Sequence, residues 1–306
     1  MIGVLGGKSM SNRKSPLLVR RSRSRRAGAE VALIISAWQP NFEASRLLRV
    51  ALESMLRNTS TDVEIWVVDG ASPKTSFKVS PDDYPEVSFI DILKMPRAVA
   101  AEHLNSYGIR GRVANLLANR RVSGSFQNGF HLDEGIRNAV MGQSKKPSYF
   151  MTLQMDVMFV KPGLIELLLS HFDDATAAVG VLRQRSLDKS EEILHSLGCM
   201  WKTSTFLELN ESMLPSFPRF DVGEKAISEA KKKGLEIVGL PCSYSDASVE
   251  SYILGTKFSD LTADRTLDDK NEVVFMHLGR GIPRSKGKKK TGTTIDEWVA
   301  IWKSLD

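Results

Sequence analysis

The sequence has little of what marks several large protein classes. It contains only two cysteines, Cys199 and Cys242, among 306 residues. They lie far apart and lack the paired spacing of a zinc site or a disulfide framework. No apolar run approaches the roughly 20 residues that cross a bilayer. We therefore expect a soluble, cytoplasmic body, in which the cysteines are small core residues in a reducing compartment.

The excess of positive charge is confined to the first part of the chain. Residues 1–30 contain eight Lys and Arg against one acid, Glu30, which leaves 34 basic and 35 acidic residues in the rest. A nucleic-acid-binding surface on the body is therefore not expected. Residues 1–29 are predicted to form a disordered basic arm. This arm is a solvated tail, a weak contact for anionic membranes, or an organelle-targeting segment.

From residue 30 onward, strand and helix patterns alternate. Continuous apolar runs predict strands at residues 31–37, 63–68 and 149–153, with a further strand at 87–92. Helical spacing of apolar residues follows Asn41, which is a good N-cap, and a second helix is predicted at 133–141. This order is typical of an α/β fold with a mostly parallel sheet and helices on both faces.

The turn after the first strand lacks glycine. It is SAWQPN, at positions 36–41, whereas nicotinamide- and flavin-binding folds need a glycine-rich turn there to approach the diphosphate. We therefore exclude those two classes.

Three sites lie at the ends of predicted parallel strands. Ala37, Trp38 and Gln39 follow the first strand, Asp69 follows the second, and Asp156 follows the strand at 149–153. Ligands bind beyond the carboxyl ends of such strands, so we expect these residues to face one crevice. Asp156 stands out because a carboxylate in apolar surroundings costs several kcal/mol unless it is paired or bound to a metal.

These motifs resemble nucleotide-sugar glycosyltransferases of the GT-A fold, most nearly the family 2 group, over about residues 30–281. The segment VVDGAS (67–72) is similar to the family element in which an acid holds the nucleoside base, which implies a donor role for Asp69, Ala37 and Trp38. The segment TLQMDV (152–157) is similar to the Asp-x-Asp metal motif, with Gln154 in place of the first acid. Asp156 matches the second acid and is the implied ligand of a Mn²⁺ or Mg²⁺ ion.

One carboxylate is too few protein ligands to hold a divalent cation, so a second ligand is needed. The resemblance implies a late histidine, and His277 in VVFMHLGRGIP (273–283) fits that role. Arg280 is expected to neutralise donor phosphate charge. Asp133 is either a contact to the donor sugar or a helix cap.

The second half of the chain supplies the acceptor side in this interpretation. A strand is predicted at 176–182, a strand and helix at 198–210, and a helix followed by a strand across 219–241. The resemblance implies that Asp221, at the start of that helix, is the general base of an inverting transfer. A late histidine is also frequent in retaining enzymes of this fold, so the resemblance leaves a retaining transfer open. The simpler alternative is that Asp221 is the helix N-cap.

The predicted organisation is one GT-A-like catalytic domain at 30–306, with a small acceptor-side subregion. Residues 30–163 form the nucleotide-sugar half, 164–281 the acceptor half, and 282–306 a loop and a closing helix. The expected partners are a nucleotide-sugar donor and a glycan, lipid-linked or protein acceptor. The alternatives are a nucleotidyltransferase of similar fold and a non-catalytic nucleotide-sugar-binding relative, which the absence of the first acid at Gln154 makes credible.

Overall fold

A large mixed sheet forms the centre of the molecule. The computed structural model describes residues 19–22, 28–60, 62–92, 123–184, 192–216, 219–279 and 292–305. The eight strands of this sheet are β1 (Val19–Ser22), β2 (Val31–Ala37), β3 (Val63–Gly70), β4 (Ser88–Ile92), β5 (Tyr149–Gln154), β7 (Thr176–Gln184), β8 (Glu192–Lys202) and β9 (Glu236–Leu240). Their order is β1-β4-β3-β2-β5-β8-β7-β9. Six strands run in one direction, and β1 and β8 run against them.

A smaller antiparallel sheet continues from the end of β5. Its strands are β6 (Val157–Phe159), β10 (Asp264–Leu267) and β11 (Val273–His277), in the order β10-β11-β6. Only a two-residue turn separates β5 from β6. That turn contains Asp156, so the carboxylate lies at the junction between the two sheets.

Helices cover both faces of the large sheet. They are α1 (Phe42–Asn58), α2 (Ser123–Ile136), α3 (Leu164–Ser170), α4 (Thr203–Leu209), α5 (Glu224–Lys232), α6 (Val249–Ile253) and α7 (Ile295–Lys303). One apolar core joins α1, α3, α6 and α7 with the small sheet, and a second core joins α2, α4 and α5. The predicted class, an α/β fold with a mostly parallel sheet and helices on both faces, is confirmed.

The central strands are apolar along their whole length because both of their faces are covered. In β2, Leu33 and Ile35 pack in the first core, whereas Ala32 and Ile34 pack in the second. The predicted cap of α1 is also present, since Asn41 Oδ1 accepts a hydrogen bond from the Ala44 amide at 3.0 Å. Local sequence alone was sufficient for this strand and this helix start.

The helix predicted at 133–141 is longer than its pattern indicated. It is described from Ser123, and after Ile136 it continues as a π-helical turn at Arg137–Met141. The prediction missed its first half because glycines there weaken the helical signal. One of its glycines has a packing reason, since a Cβ on Gly135 would lie 2.3 Å from a methyl group of Ile34.

Part of the predicted basic arm pairs with the sheet. Strand β1 lies antiparallel to β4, with Val19 opposite Ile92 and Ser22 opposite Phe89. Without it, β4 would present a row of unpaired backbone groups at the sheet edge. These four residues therefore depart from the disorder expected of the arm.

The closing helix packs on the core, as expected. Trp298 is fully buried, and Trp302 Nε1 donates to Glu53 in α1 at 3.0 Å. Across the part of the chain that the structure describes, no helix is both long and apolar enough to cross a membrane.

Candidate functional site

Three loops meet at the carboxyl edge of the parallel strands. Ala37, the last residue of β2, pairs with Asp69 in β3. The backbone amide of Trp38 lies 3.3 Å from the Met155 sulfur, in the turn that also holds Asp156. The loops after β2, β3 and β5 are thus in contact, as their positions in the sequence predicted.

Asp156 and His277 lie side by side at this edge. His277 ends β11, which pairs with β6 so that His277 is opposite Val157, the residue after Asp156. The distance from His277 Nε2 to Asp156 Oδ1 is 3.5 Å. The backbone also joins here, because the Leu278 amide donates to the Asp156 carbonyl at 2.9 Å.

A second carboxylate holds the other nitrogen of His277. Asp264 begins β10 directly opposite His277, and its Oδ2 lies 3.0 Å from His277 Nδ1. With Nδ1 donating its proton to Asp264, Nε2 is the nitrogen that faces Asp156. Metal-binding histidines are commonly oriented by a carboxylate in this manner.

The charges around His277 affect its pKa more strongly than burial does. Burial by itself would lower the pKa of His277, but the charge of Asp156 and hydrogen bonds to both carboxylates raise it to about 10. In the absence of a metal, the imidazole is therefore protonated at neutral pH and forms an ion pair on each side. The pocket is built to hold a positive charge between two carboxylates.

Asp156 and His277 fit a divalent cation as a partial ligand set. Two ligand atoms each about 2.1 Å from one ion lie at most about 4.2 Å apart, so their 3.5 Å separation is compatible with shared coordination. Among the described residues, however, no group of three or more His, Cys, Asp or Glu side chains is arranged to hold a metal. The remaining ligands would have to come from a substrate and from water.

A second histidine borders the first. The rings of His195, in β8, and His277 have centroids 5.4 Å apart. Burial and the charges of Arg183 and His277 hold the pKa of His195 well below its usual value. The Leu197 amide donates to Nδ1 of His195 at 3.1 Å, so Nε2 of the neutral ring carries the proton. His195 thus presents a hydrogen-bond donor rather than a metal ligand.

The two histidines and Arg183 enclose a small cavity of about 10 Å³. This volume suffices for about one water molecule. Arg183 Nη2 also forms a 2.6 Å ion pair with Glu224, the first residue of α5. Arg183 therefore links the cavity that His277 lines to the start of α5.

Asp221 lies just before α5 and connects to the cavity through Glu224. Its backbone amide donates to Glu224 Oε2 at 2.9 Å, and its Oδ1 accepts from the Val222 amide. The N-cap of α5 is Gly223, so the alternative of Asp221 as the cap is wrong. The observed helix α5 begins later than the sequence predicted, because the chain first makes a turn at 221–223.

Asp69 is buried in a network of its own. Its oxygens accept from Gln39 Nε2 at 2.9 Å and from the Ser72 amide at 2.9 Å. Lys78 Nζ lies 3.4 Å from Asp69 and 3.0 Å from Asp91. Burial lowers the pKa of Lys78, but these two acids raise it overall. Lys78 also lines an open groove of about 580 Å³ beside β4.

Asp133 is neither a helix cap nor close to a helix start. It lies in the second half of α2, and its carboxylate accepts from Ser212 Oγ at 2.5 Å and from the Met213 amide at 2.7 Å. The capping alternative is therefore wrong, because α2 begins at least ten residues earlier. The observed contacts join α2 to the loop that follows α4.

Arg280 lies outside the described residues. Asp264, His195 and Arg183 were missed, because only the strand register brings them to His277, and no local motif marks them. The adjoining antiparallel strands β10 and β11 were the one available signal for Asp264.

Comparisons with known proteins add little beyond the geometry. No family model matches the chain, and no curated protein matches it. One similar solved structure is the mannosyltransferase PcManGT from Pyrobaculum calidifontis in complex with GDP-Man and Mn²⁺. The two chains are 14% identical with a TM-score of 0.44, over 74% of this chain and 59% of that one. This chain thus spans under two thirds of that protein, and a likeness of this size settles neither fold family nor activity.

Proposed function

We propose that this protein is a metal-dependent glycosyltransferase of the GT-A fold that transfers a sugar from a nucleoside diphosphate-sugar to an acceptor hydroxyl. The observation that carries the proposal is the Asp156–His277 pair at the carboxyl edge of a mostly parallel sheet, with Asp264 orienting His277. Ligands of such sheets bind at this edge.

Asp156 and His277 would hold a Mn²⁺ or Mg²⁺ ion. When bound, the cation neutralises the charge that develops on the departing diphosphate. Asp264 would keep His277 oriented with Nε2 available to the ion, and the remaining ligands would have to come from the donor and from water. Arg280, three residues after His277, would add positive charge near the diphosphate.

The donor's nucleoside would occupy the side of β2 and β3. Ala37 and Trp38 border the Asp156 turn, and Asp69 organises the loops next to the groove at Lys78. The volume of this groove is within the range of small-molecule sites. A direct contact between Asp69 and the base requires that the base replace one of its present hydrogen bonds. Asp133 would act indirectly, by fixing the position of α2 beneath the sugar.

Asp221 is the proposed general base. The acceptor oxygen forms a bond to the anomeric carbon on the face opposite the diphosphate, and the bond between that carbon and the phosphate oxygen breaks. The carboxylate of Asp221 takes the proton of the acceptor hydroxyl, and the nucleoside diphosphate departs with the electron pair. This course inverts the configuration at the anomeric carbon.

A hydrolysis assay with Mn²⁺ tests the proposal. The wild-type chain is incubated with a panel of nucleotide sugars, beside Asp156→Ala and an exposed-acid control, Asp174→Ala. We expect release of nucleoside diphosphate from at least one donor, a loss of about 100-fold or more in Asp156→Ala, and no change in the control.

The same assay separates the two alternatives. Release of pyrophosphate from nucleoside triphosphates would indicate a nucleotidyltransferase. Binding of a nucleotide sugar without turnover would indicate a non-catalytic relative. If no donor is bound or hydrolysed, or if Asp156→Ala matches the wild type, the glycosyltransferase proposal is wrong.

A further inference from the structure

An exposed aromatic ring lies close to the Asp156–His277 pair. Tyr244 follows β9, and 57% of its surface is exposed. Its ring packs edge-on against His195, with centroids 6.4 Å apart and planes at 81°. Since the His195 ring is in turn 5.4 Å from that of His277, only one imidazole separates Tyr244 from the proposed metal ligand.

Exposure by itself is not informative, because single apolar residues on a surface are common. Tyr252 and Leu254 are also exposed, at 52% and 81%, on and just after α6. What distinguishes Tyr244 is that it lines the small cavity together with His195, Asp264 and His277. Its ring therefore borders the candidate site on one side and solvent on the other.

The backbone on each side of Tyr244 is fixed to a strand. Ser243 pairs with Arg265 of β10, with its amide donating to the Arg265 carbonyl and its Oγ accepting from the Arg265 amide, both at 3.0 Å. Ser245 Oγ donates to the Leu182 carbonyl in β7 at 2.9 Å. These bonds fix the chain on either side of Tyr244, and the ring itself packs on His195, so binding a partner orders little that is not already in place.

We propose that Tyr244 is the platform on which a sugar ring of the acceptor stacks, so that the acceptor is a saccharide. This inference rests on the proposed function and adds the acceptor class to it. The face of a phenol ring is electron-rich, and one face of a pyranose presents C–H groups with partial positive charge. Stacking buries these two faces against each other and leaves the hydroxyl groups at the sugar's rim available for transfer.

The geometry also connects this platform to the proposed base. Arg183 lines the cavity that Tyr244 borders, and it pairs with Glu224, which accepts the amide hydrogen of Asp221. A sugar stacked on Tyr244 would thus lie on the acceptor side of the junction, with Asp156 and His277 on the donor side.

The test compares Tyr244→Ala with Tyr244→Phe and with Tyr252→Ala as an exposed control. The probes are the nucleotide sugar that the wild type hydrolyses and a panel of methyl pyranosides and disaccharides. For Tyr244→Ala we expect the acceptor KM to rise about tenfold or more. Tyr244→Phe keeps the ring and should stay within about threefold of the wild type. The donor KM and acceptor-free hydrolysis should be unchanged in all three variants.

Failure of this inference can be distinguished from failure of the proposed function. The wild type could hydrolyse a donor but transfer only to glycerol or peptide hydroxyls, or Tyr244→Ala could keep a normal acceptor KM. Either result would show that Tyr244 is not a sugar-stacking residue, while the proposed donor chemistry would be unaffected. An equal loss of acceptor-free hydrolysis in Tyr244→Ala would also overturn it, since Tyr244 would then support His195. If no nucleotide sugar is bound or hydrolysed, both the glycosyltransferase proposal and the proposal for Tyr244 are wrong.

Discussion

Two histidines that are largely shielded from solvent, at the same edge of the sheet, have opposite surroundings. His131, in α2, lies 3.2 Å from Ser36 Oγ through Nδ1, and its ring packs against the backbone of Gly70. Burial lowers its pKa to about 4. His277 is largely shielded from solvent, with 13% of its side chain exposed, yet Asp156 and Asp264 raise its pKa to about 10.

The difference shows what each histidine can do. Burial opposes a charged imidazole at both places, and only the two carboxylates at His277 overcome that penalty. His131 is therefore a neutral packing residue, whereas His277 lies where a positive charge is stabilised. A metal ion and a proton would compete for Nε2, so metal binding should strengthen as the pH rises toward 10.

The largest expected change comes from removing the charge that sets His277 apart. In Asp264→Asn, the charge is lost while the shape is kept, so His277 is held less well in the orientation that a metal needs. We expect Mn²⁺ affinity to fall about 100-fold, the upper end of the range for an outer-shell partner. Calorimetric titration measures this, with Asp269→Asn on the same hairpin as the control. An unchanged affinity would mean that Asp264 has no role in metal binding.

The packing of His131 is tested by Gly70→Ala. A Cβ at Gly70 would lie 1.9 Å from the His131 ring, so the variant should lose about 2 kcal/mol of stability by overpacking. Gly124→Ala, in the same helix as His131, meets no atom within 4 Å and should not destabilise the protein. Chemical denaturation measures both variants.

A double variant identifies the cause of the loss at Gly70. Adding His131→Ala should relieve the clash, so that the two substitutions together cost less than their sum. Strict additivity would show that Gly70→Ala acts through something other than the His131 ring.

The smallest effect concerns the pH dependence of stability. Since the pKa of His131 is about 4 in the folded chain and 6.5 when exposed, the unfolded chain binds more protons between these values. Stability from this residue is therefore present above pH 6.5 and is lost as the pH falls toward 4. His131→Gln should remove about 1 kcal/mol of the decline between pH 6 and pH 5. Denaturant titrations at the two pH values check this; equal declines would contradict it.

The sequence predicted those parts of the fold that depend on local pattern. β2 was correct to the residue, and Asn41 caps α1 as expected, because burial on both faces and a capping side chain leave local marks. The start of α2 was missed, since glycine is a poor helix former and Gly124 and Gly129 lie in that part of the helix. Gly129 has a packing reason, because a Cβ there would lie 2.7 Å from the Met213 carbonyl oxygen.

The residues of the candidate site also fall into two groups, those that local sequence marks and those that only the fold brings together. Asp156 was predicted because a carboxylate after a buried strand is unusual, and His277 because a resemblance suggested a late histidine; the structure places these two side chains next to each other. Asp264 was missed, since its contact depends on lying opposite His277 across two antiparallel strands that the sequence analysis did not pair. Arg183 and His195 come from β7 and β8, and only the folded sheet brings them to the same cavity.

The most direct test is a Mn²⁺ titration of the full chain, followed by the electron paramagnetic resonance of free Mn²⁺. It compares the wild type with Asp156→Asn, His277→Gln and His131→Gln, with and without a nucleoside diphosphate. The wild type and His131→Gln should bind one ion, more tightly with the nucleotide, and the other two variants should bind at least about 100-fold more weakly. Equal Mn²⁺ binding by the wild type and Asp156→Asn would contradict the proposed metal site.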